Sequence, residues 1–186
     1  MAQAADNRED MMGDLLFEFT EWLRSTQLTE FSLWIGETPL SLWLQTNFWA
    51  IPIIQVIHIL SIAAGFGAVL MVTLRLFELA GTDRTIAETE RRYIRWIWFA
   101  LVFLVLSGLG LIIAEPIREL INPIFWIKVA LVIVVITVSL LFHGRVMRRL
   151  ASGGVVTGGI RTASVLIIIL WFATMTAGRW IAYAPV

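Results

Sequence analysis

The chain has 186 residues, of which 59% are hydrophobic, and its mean hydropathy is +0.83. This apolar share exceeds the ~45–50% that is usual in soluble domains, and it points to lipid as the solvent. The formal charge is zero and cysteine is absent, which excludes disulfides, thiolate metal sites and cysteine nucleophiles.

The first predicted element is an acidic amphipathic helix between Met11 and Arg24. Acids occupy one helical face, and the opposite face is apolar. The apolar positions are Leu15, Leu16, Phe19, Trp22 and Leu23. Because an acidic face does not attract anionic lipid, we expect this helix to pack against the protein's own helices or a partner subunit. Residues 1–38 are therefore predicted to be a separate acidic segment, followed by a membrane domain over residues 39–186.

A short interfacial helix is predicted next, leading into the first crossing. Thr38 and Pro39 are residue types preferred at a helix N-cap and at the first helical position. Trp43 and Trp49 favour the depth of the membrane interface. We expect the first crossing to end near Gly81, since glycine is common at helix C-caps.

Four apolar windows are each long enough to cross a hydrocarbon core of about 30 Å, which takes about 20 helical residues. They cover about residues 53–76, 93–114, 123–144 and 161–183. Thr85 and Glu88 have the spacing of a capping box before the second window, and Asn122 with Pro123 starts the third. The predicted fold is all-α, a four-transmembrane-helix bundle preceded by amphipathic, interfacial helices.

The distribution of arginine predicts the orientation of the chain, because cytoplasmic loops of membrane proteins are rich in Lys and Arg. The first and third connections hold Arg75, Arg84, Arg91, Arg92, Arg95, Arg145, Arg148, Arg149 and Arg161. Most acids lie in the amino-terminal segment and the second connection. We therefore expect a multi-pass protein of a bacterial inner membrane, with both termini in the periplasm.

Few polar residues interrupt the apolar windows, and each is a functional candidate because a charge at the bilayer centre costs about 2.5–3.5 kcal/mol on insertion scales. At a rise of ~1.5 Å per residue, groups from all four helices fall at one depth near the predicted outer face. We call this set the polar layer. The candidate cofactor-binding residues in it are Gln55, His58, Glu115, Lys128, Met175 and Arg179.

Lys128 is the only lysine of the chain, and a buried ammonium needs a counter-charge. Glu115 is the expected partner, with Glu119 as the substitute. Two interpretations remain open for these charges: structural ion pairs with snorkelling anchors, or a polar pocket open to the outer side.

Four roles remain open for His58: haem ligand, hydrogen-bond donor to a quinone carbonyl, proton carrier, or interhelical contact. His58 is also the candidate metal ligand. The other histidine, His143, is expected at the cytoplasmic end as a headgroup-level anchor, so the two cannot share one haem. A haem b at His58 would need Met175, or a histidine of another subunit, as its second ligand.

The order of these residues resembles that of an uncharacterised family of small bacterial four-helix membrane proteins. The likeness covers about residues 40–184. It is carried by Gln55-x-x-His58, Glu115, Asn122-Pro123-x-Phe125-x-x-Lys128, Phe142-His143 and Gly178-Arg179-Trp180-Ile181-Ala182-Tyr183. The resemblance implies the four-helix fold and the polar layer, and it supplies no activity.

No metalloprotease, hydrolase or nucleotide-binding motif is present in the sequence, so enzymatic activity of the isolated chain is the less favoured interpretation. The first hypothesis is a non-catalytic membrane subunit that anchors a redox or respiratory-type assembly and offers a quinone- or haem-associated pocket. A small transporter or channel subunit for an anionic solute, attracted by Lys128 and Arg179, is the alternative. A purely structural assembly factor is the third.

The expected partners follow from the same hypotheses. They are the lipid bilayer, and other membrane or outer-face subunits or a second copy of the chain. Nucleic acid is not expected.

Overall fold

The computed structural model describes the backbone of residues 2–181 and the side chains of residues 11, 13–150 and 152–181. Over these residues it is all-α and has no strand, which confirms the predicted fold class. The helices are α1 (Ala2–Ser25), α2 (Leu28–Gly36), α3 (Pro39–Thr46), α4 (Ala50–Leu76), α5 (Ile86–Ala114), α6 (Pro116–Leu120), α7 (Pro123–Ala151) and α8 (Gly158–Trp180).

Four of these helices, α4, α5, α7 and α8, are long and apolar enough to cross a membrane. At most 22% of each apolar stretch is buried inside the protein, so most of its side chains face outward. The large exposed side chains along these helices are mainly Val, Leu, Ile and Phe. An outward apolar surface of this kind is consistent with a multi-pass membrane protein in contact with lipid.

The long helices extend beyond the predicted spans mainly into the arginine-rich connections. α5 begins at residue 86 where the apolar window began at 93, and α7 ends at 151 where the window ended at 144. The helical backbone continues because the polar turns still form the internal backbone hydrogen bonds of a helix. The predicted end of the fourth span, with Ala182 and Tyr183, lies outside the described residues.

Three predicted helix starts are confirmed by their side-chain caps. Thr38 Oγ1 accepts from a backbone N–H of α3 at 3.3 Å, and Asn122 Oδ1 accepts from one of α7 at 2.9 Å. Thr85 and Glu88 form the reciprocal capping box of α5. These caps fix where the chain enters each helix.

α4 ends at Leu76, the last residue of the first predicted span, but the expected C-cap at Gly81 is wrong. Glu78 adopts the left-handed conformation instead, with φ 61°. The backbone N–H of Leu79 donates to Leu74 O at 2.9 Å, which closes the helix end in a Schellman-type turn. Gly81, which has φ 67°, shapes the following loop instead of capping the helix.

The bundle is built from two helix pairs, α4 with α5 and α7 with α8, and contacts of α4 with α8 and of α5 with α7 close the ring. Gly65 sets the closest approach at its centre. A Cβ at this position would lie 3.1 Å from Trp171 Cη2 and 3.4 Å from Ala100 Cβ. The buried cluster beside it consists of Val69, Val135, Ile167 and Trp171.

The two ends of the bundle differ. The end that holds the α4–α5 and α7–α8 connections is called the arginine end, and the opposite end, where α2, α3 and α6 pack, is called the amino-terminal end. Ser41 Oγ of α3 donates to Ile113 O of α5 at 2.6 Å and ties the interfacial helix to the bundle. α1 contacts α2 and α7. Only part of its apolar face is covered, because Leu23 is buried whereas Leu15 and Trp22 remain exposed.

Candidate functional site

His58 projects from α4 toward α5 within the amino-terminal half of the bundle. Its Nδ1 atom lies 2.8 Å from Ser107 Oγ. A Cβ on Gly108 would lie 3.7 Å from His58 Cε1, so the imidazole lies close over this glycine. The ring is partly buried, and α5 supplies its polar contact.

The hydrogen bonds of Ser107 determine which nitrogen of His58 carries the proton. Ser107 Oγ lies 2.5 Å from the carbonyl oxygen of Phe103, which can only accept. A serine hydroxyl has one hydrogen, and when that hydrogen is donated to Phe103 O, Ser107 Oγ accepts from His58 in its Nδ1–H tautomer. In the neutral ring Nε2 then carries a lone pair that can accept a hydrogen bond or bind a metal.

Lys128 reaches from α7 to α8 in the same half of the bundle. A Cβ on Gly178 would lie 3.5 Å from Lys128 Cε and 3.8 Å from its Nζ, so the lysine stem runs along this glycine. The ammonium interacts electrostatically with His58 of α4 and with Glu119 of α6. The only lysine of the chain and His58 are thus close enough to interact, while their role as a binding site stays a prediction.

The acid associated with Lys128 is Glu119, and the predicted partnership of Lys128 with Glu115 is wrong. Glu115 stands at the junction of α5 and α6, and its carboxylate pairs with Arg118 at 2.7 Å. Burial raises the pKa of Glu119, and the charges of Lys128 and Arg118 offset part of this rise. Glu119, a half-buried acid near the Lys128 ammonium, therefore belongs to the polar layer.

The other candidates lie at the margin of this cluster. Gln55 is exposed on α4, and Arg179 is exposed near the end of α8. Met175 is half-buried on α8, one turn before Gly178. Among the described residues, no group of three or more His, Asp or Glu side chains could hold a metal ion, so a metal role of His58 stays a prediction.

A second polar site, at the arginine end, was missed by the sequence analysis. Glu90 Oε2 of α5 forms an ion-pair contact with His143 Nδ1 of α7. The side chain of Glu90 is 3% exposed and that of His143 is 28% exposed. The prediction that His143 is a headgroup-level anchor is wrong, because the imidazole turns into the bundle toward this acid.

The helical spacing of apolar residues in α5 could have predicted that Glu90 faces into the bundle. Glu90, Ile94, Ile97 and Leu101 line one cavity, and they recur at the intervals of a single helical face. Glu90 thus continues the inward apolar face of α5. Because neighbouring arginines made the stretch resemble a solvated connection, its inward position was overlooked.

Residues 28–184 match the family of unknown function DUF6644. The matched range contains α2 to α8 and leaves out α1. The match begins at residue 28, whereas the expected likeness to an uncharacterised family began at about residue 40. No curated protein and no solved structure matches the chain.

Proposed function

The chain belongs to the family of unknown function DUF6644, and we propose that it is a non-catalytic membrane subunit of a redox-type assembly that binds a quinol in its polar layer. The observation that carries the proposal is the hydrogen bond of His58 Nδ1–H to Ser107, because it leaves Nε2 as an acceptor inside an apolar bundle.

The cluster matches the chemistry of a quinol headgroup. A quinol hydroxyl donates a hydrogen bond, and His58 Nε2 accepts one. The Lys128 ammonium is a donor for an oxygen of the same ring. Apolar helices on both sides suit the aromatic ring and an isoprenoid tail, as in other sites that combine apolar walls with a few fixed polar groups.

The tautomer of His58 favours the reduced form of the ligand. A quinone carbonyl would require a donor at Nε2, and in the neutral ring the proton is on Nδ1, where Ser107 accepts it. The initial hypothesis of His58 as a donor to a quinone carbonyl is therefore replaced by an acceptor role toward a quinol hydroxyl.

Haem b is the second candidate ligand of the polar layer, and the hydrogen bond between His58 and Ser107 supports it as well. A metal-ligating imidazole normally donates its other N–H to a neighbouring acceptor, which orients the ring. His58 Nε2 would hold the iron, with Met175 or a residue of another subunit as the second ligand. The iron would then supply electron-transfer chemistry, while Ser107 holds the imidazole in position.

Location and partners form part of the proposal. The arginine distribution supports a bacterial inner membrane, with the arginine end in the cytoplasm and both termini in the periplasm. Leu15 and Trp22 of α1 are exposed apolar residues outside the matched family range, and they suit contact with another subunit or a second copy. The acidic segment of residues 1–38 would then serve assembly.

The rival functions have weaker support. A transporter subunit for an anionic solute would use the charge of Lys128, but Glu119 offsets that charge. A purely structural assembly factor would not need an acceptor nitrogen fixed within the bundle. If the chain were such an assembly factor, the His58→Leu variant should still bind its protein partners and should show no other loss of function.

The test is to isolate the full chain in mild detergent, record its visible spectrum and quantify extracted quinones by mass spectrometry. We expect co-purified quinone to fall about tenfold or more in Ser107→Ala, by analogy with the loss of an orienting partner of a metal-bound histidine, and further in His58→Leu. Thr176→Val is the matched control, because it changes an exposed polar residue of α8 at the amino-terminal end of the bundle.

A haem absorption band that disappears in His58→Leu would replace the quinol by haem b. Wild-type protein with neither quinone nor haem, or with a quinone content that His58→Leu leaves unchanged, would overturn the proposal.

A further inference from the structure

A cavity of about 40 Å³ lies between α4, α5, α7 and α8 in the arginine half of the bundle. Its walls are mostly apolar. The polar side chains that line it are Thr73, Glu90, Ser139, His143, Ser164 and Trp171. Since one water needs about 10–15 Å³ of such space, the cavity has room for about three waters.

Two buried polar atoms that line this cavity lack a hydrogen-bond partner among the described residues, Trp171 Nε1 and Glu90 Oε2. Trp171 is 6% exposed and Glu90 is 3% exposed, so bulk water does not satisfy them. Glu90 Oε2 does contact His143 Nδ1, but as an ion pair without the alignment of a hydrogen bond. Buried polar atoms are nearly always paired, which indicates water at both.

The titratable side chains that line the cavity are Glu90 of α5 and His143 of α7. α4 and α8 contribute hydroxyls and the indole N–H. Arg161 of α8 lies at the arginine end of the bundle. Its guanidinium forms hydrogen bonds away from the pair, because it donates to Leu76 O and Glu78 Oε1.

The charge state of the pair follows from its surroundings. A carboxylate next to a neutral imidazole carries a net charge of −1, and an uncompensated charge in an apolar cavity is costly. One added proton makes the pair neutral overall, as imidazolium with carboxylate or as imidazole with carboxylic acid. The cavity therefore favours the form that has taken up this proton.

We propose that Glu90, His143 and the cavity up to Trp171 form a hydrated proton-binding site that opens toward the arginine end. The proton comes from water at that end and forms an O–H or N–H bond on the pair, and no electron is transferred. Waters in the cavity connect the pair to the indole N–H of Trp171.

The site reaches the middle of the bundle and stops short of the polar layer. Trp171 packs against Gly65, which is seven residues from His58 on α4, or about 10 Å along the helix axis. The inference stands without the proposed quinol site, because it uses none of that site's residues.

Infrared difference spectroscopy of the full chain in nanodiscs tests the proton site. Acidification protonates carboxylates throughout the chain, so the Glu90 band is the carboxylic-acid C=O component by which wild type differs from Glu90→Gln. We expect this band to shift in D₂O and to appear together with imidazole changes. Glu90→Gln should lack the band, and His143→Gln should move the pH at which it appears. Glu119→Gln, which removes the half-buried acid at the opposite end, is the matched control and should retain it.

Trp171→Phe tests the water connection, since it removes the N–H donor and keeps an aromatic ring, although a smaller one, next to Gly65. We expect the Glu90 band to change frequency in this variant and not in Trp98→Phe, where the exposed indole faces outward. An acid-induced difference spectrum that neither Glu90→Gln nor His143→Gln alters would overturn the proton site. A band indifferent to Trp171→Phe would overturn the hydrated link.

Discussion

At His58, a single neighbouring hydroxyl decides which ring nitrogen is available for a ligand. The hydroxyl of Ser107 is committed to the carbonyl of Phe103, so it can only accept from the imidazole. An orienting residue of this kind acts through the ligand-binding group without touching the ligand itself. Its effect should therefore be visible in the chemistry of His58 before any ligand is added.

The tautomer of His58 gives a direct measurement. The chain has two histidines, so ¹⁵N-histidine labelling gives a simple NMR spectrum. We expect wild-type His58 to be protonated at Nδ1, Ser107→Ala to give a mixture of tautomers, and Ser107→Thr to restore the wild-type pattern. Wild-type protein with the proton on Nε2 would contradict the hydrogen-bond assignment.

Glu119 makes a prediction about pH. Because burial raises its pKa, the folded chain favours the protonated acid. The contribution of this group to stability is thus fully present below its ordinary pKa and is lost as the pH rises through the raised value. We expect the thermal midpoint of Glu119→Gln to rise relative to that of wild type over the pH range above about 4, the ordinary pKa of a glutamic acid.

The control for this prediction is Glu37→Gln, which removes an exposed acid at the same end of the molecule. A difference between wild type and Glu119→Gln that stays constant across this pH range would show that burial does not disfavour the Glu119 carboxylate.

Among the elements, α4 contacts both α5 and α8 and so joins the two helix pairs of the bundle. It carries His58 in one half, and in the other half Val69, Val72 and Thr73 line the cavity. Gly65 lies between these two regions and lets the indole of Trp171 fill the centre. The contact of Gly65 with Trp171 therefore lies between the two sites.

Gly65 and Gly67 provide a matched pair of substitutions on α4. A Cβ at Gly65 would lie 3.1 Å from the rigid indole of Trp171, whereas a Cβ at Gly67 meets nothing within 4 Å. We expect Gly65→Ala to lower the free energy of unfolding by about 1–3 kcal/mol through overpacking. Gly67→Ala should raise it by up to about 1 kcal/mol through helix propensity.

Reversible unfolding in mixed detergent micelles measures both variants. Equal effects of the two substitutions would mean that the contact between α4 and α8 at Gly65 is looser than the structure shows.

The whole molecule is asymmetric along the bundle axis. The polar layer with its lysine lies toward the amino-terminal end, and the Glu90–His143 cavity lies toward the arginine end. Any function that links these sites to two compartments depends on the orientation of the chain in the membrane. The arginine-rich connections predict this orientation.

The absence of cysteine allows a clean test of orientation with single cysteines. Asn47 and Thr82 are exposed in connections at opposite ends of α4. In intact cells we expect a membrane-impermeant maleimide to label Asn47→Cys, and to label Thr82→Cys only after permeabilisation. The reverse pattern would place the arginine end outside.

The sequence by itself determined the features that are encoded within a few neighbouring residues. The four apolar stretches predicted four long helices, and Thr38, Thr85 and Asn122 predicted where α3, α5 and α7 begin. These features are local because backbone hydrogen bonds join residues four apart and a cap is made within one turn. Depth also follows from counting residues, which brought His58 and Lys128 into one layer.

The tertiary structure alone decided which side chains meet, because contact depends on the rotation and pairing of helices that are distant in the sequence. It paired His58 with Ser107, gave Lys128 the acid Glu119 in place of Glu115, and turned His143 inward to Glu90. A helix rotates by about 100° per residue, so an error of one position in its inward face exchanges a buried partner for a lipid-facing one. Packing at contacts such as Gly65 against Trp171 fixes that rotation.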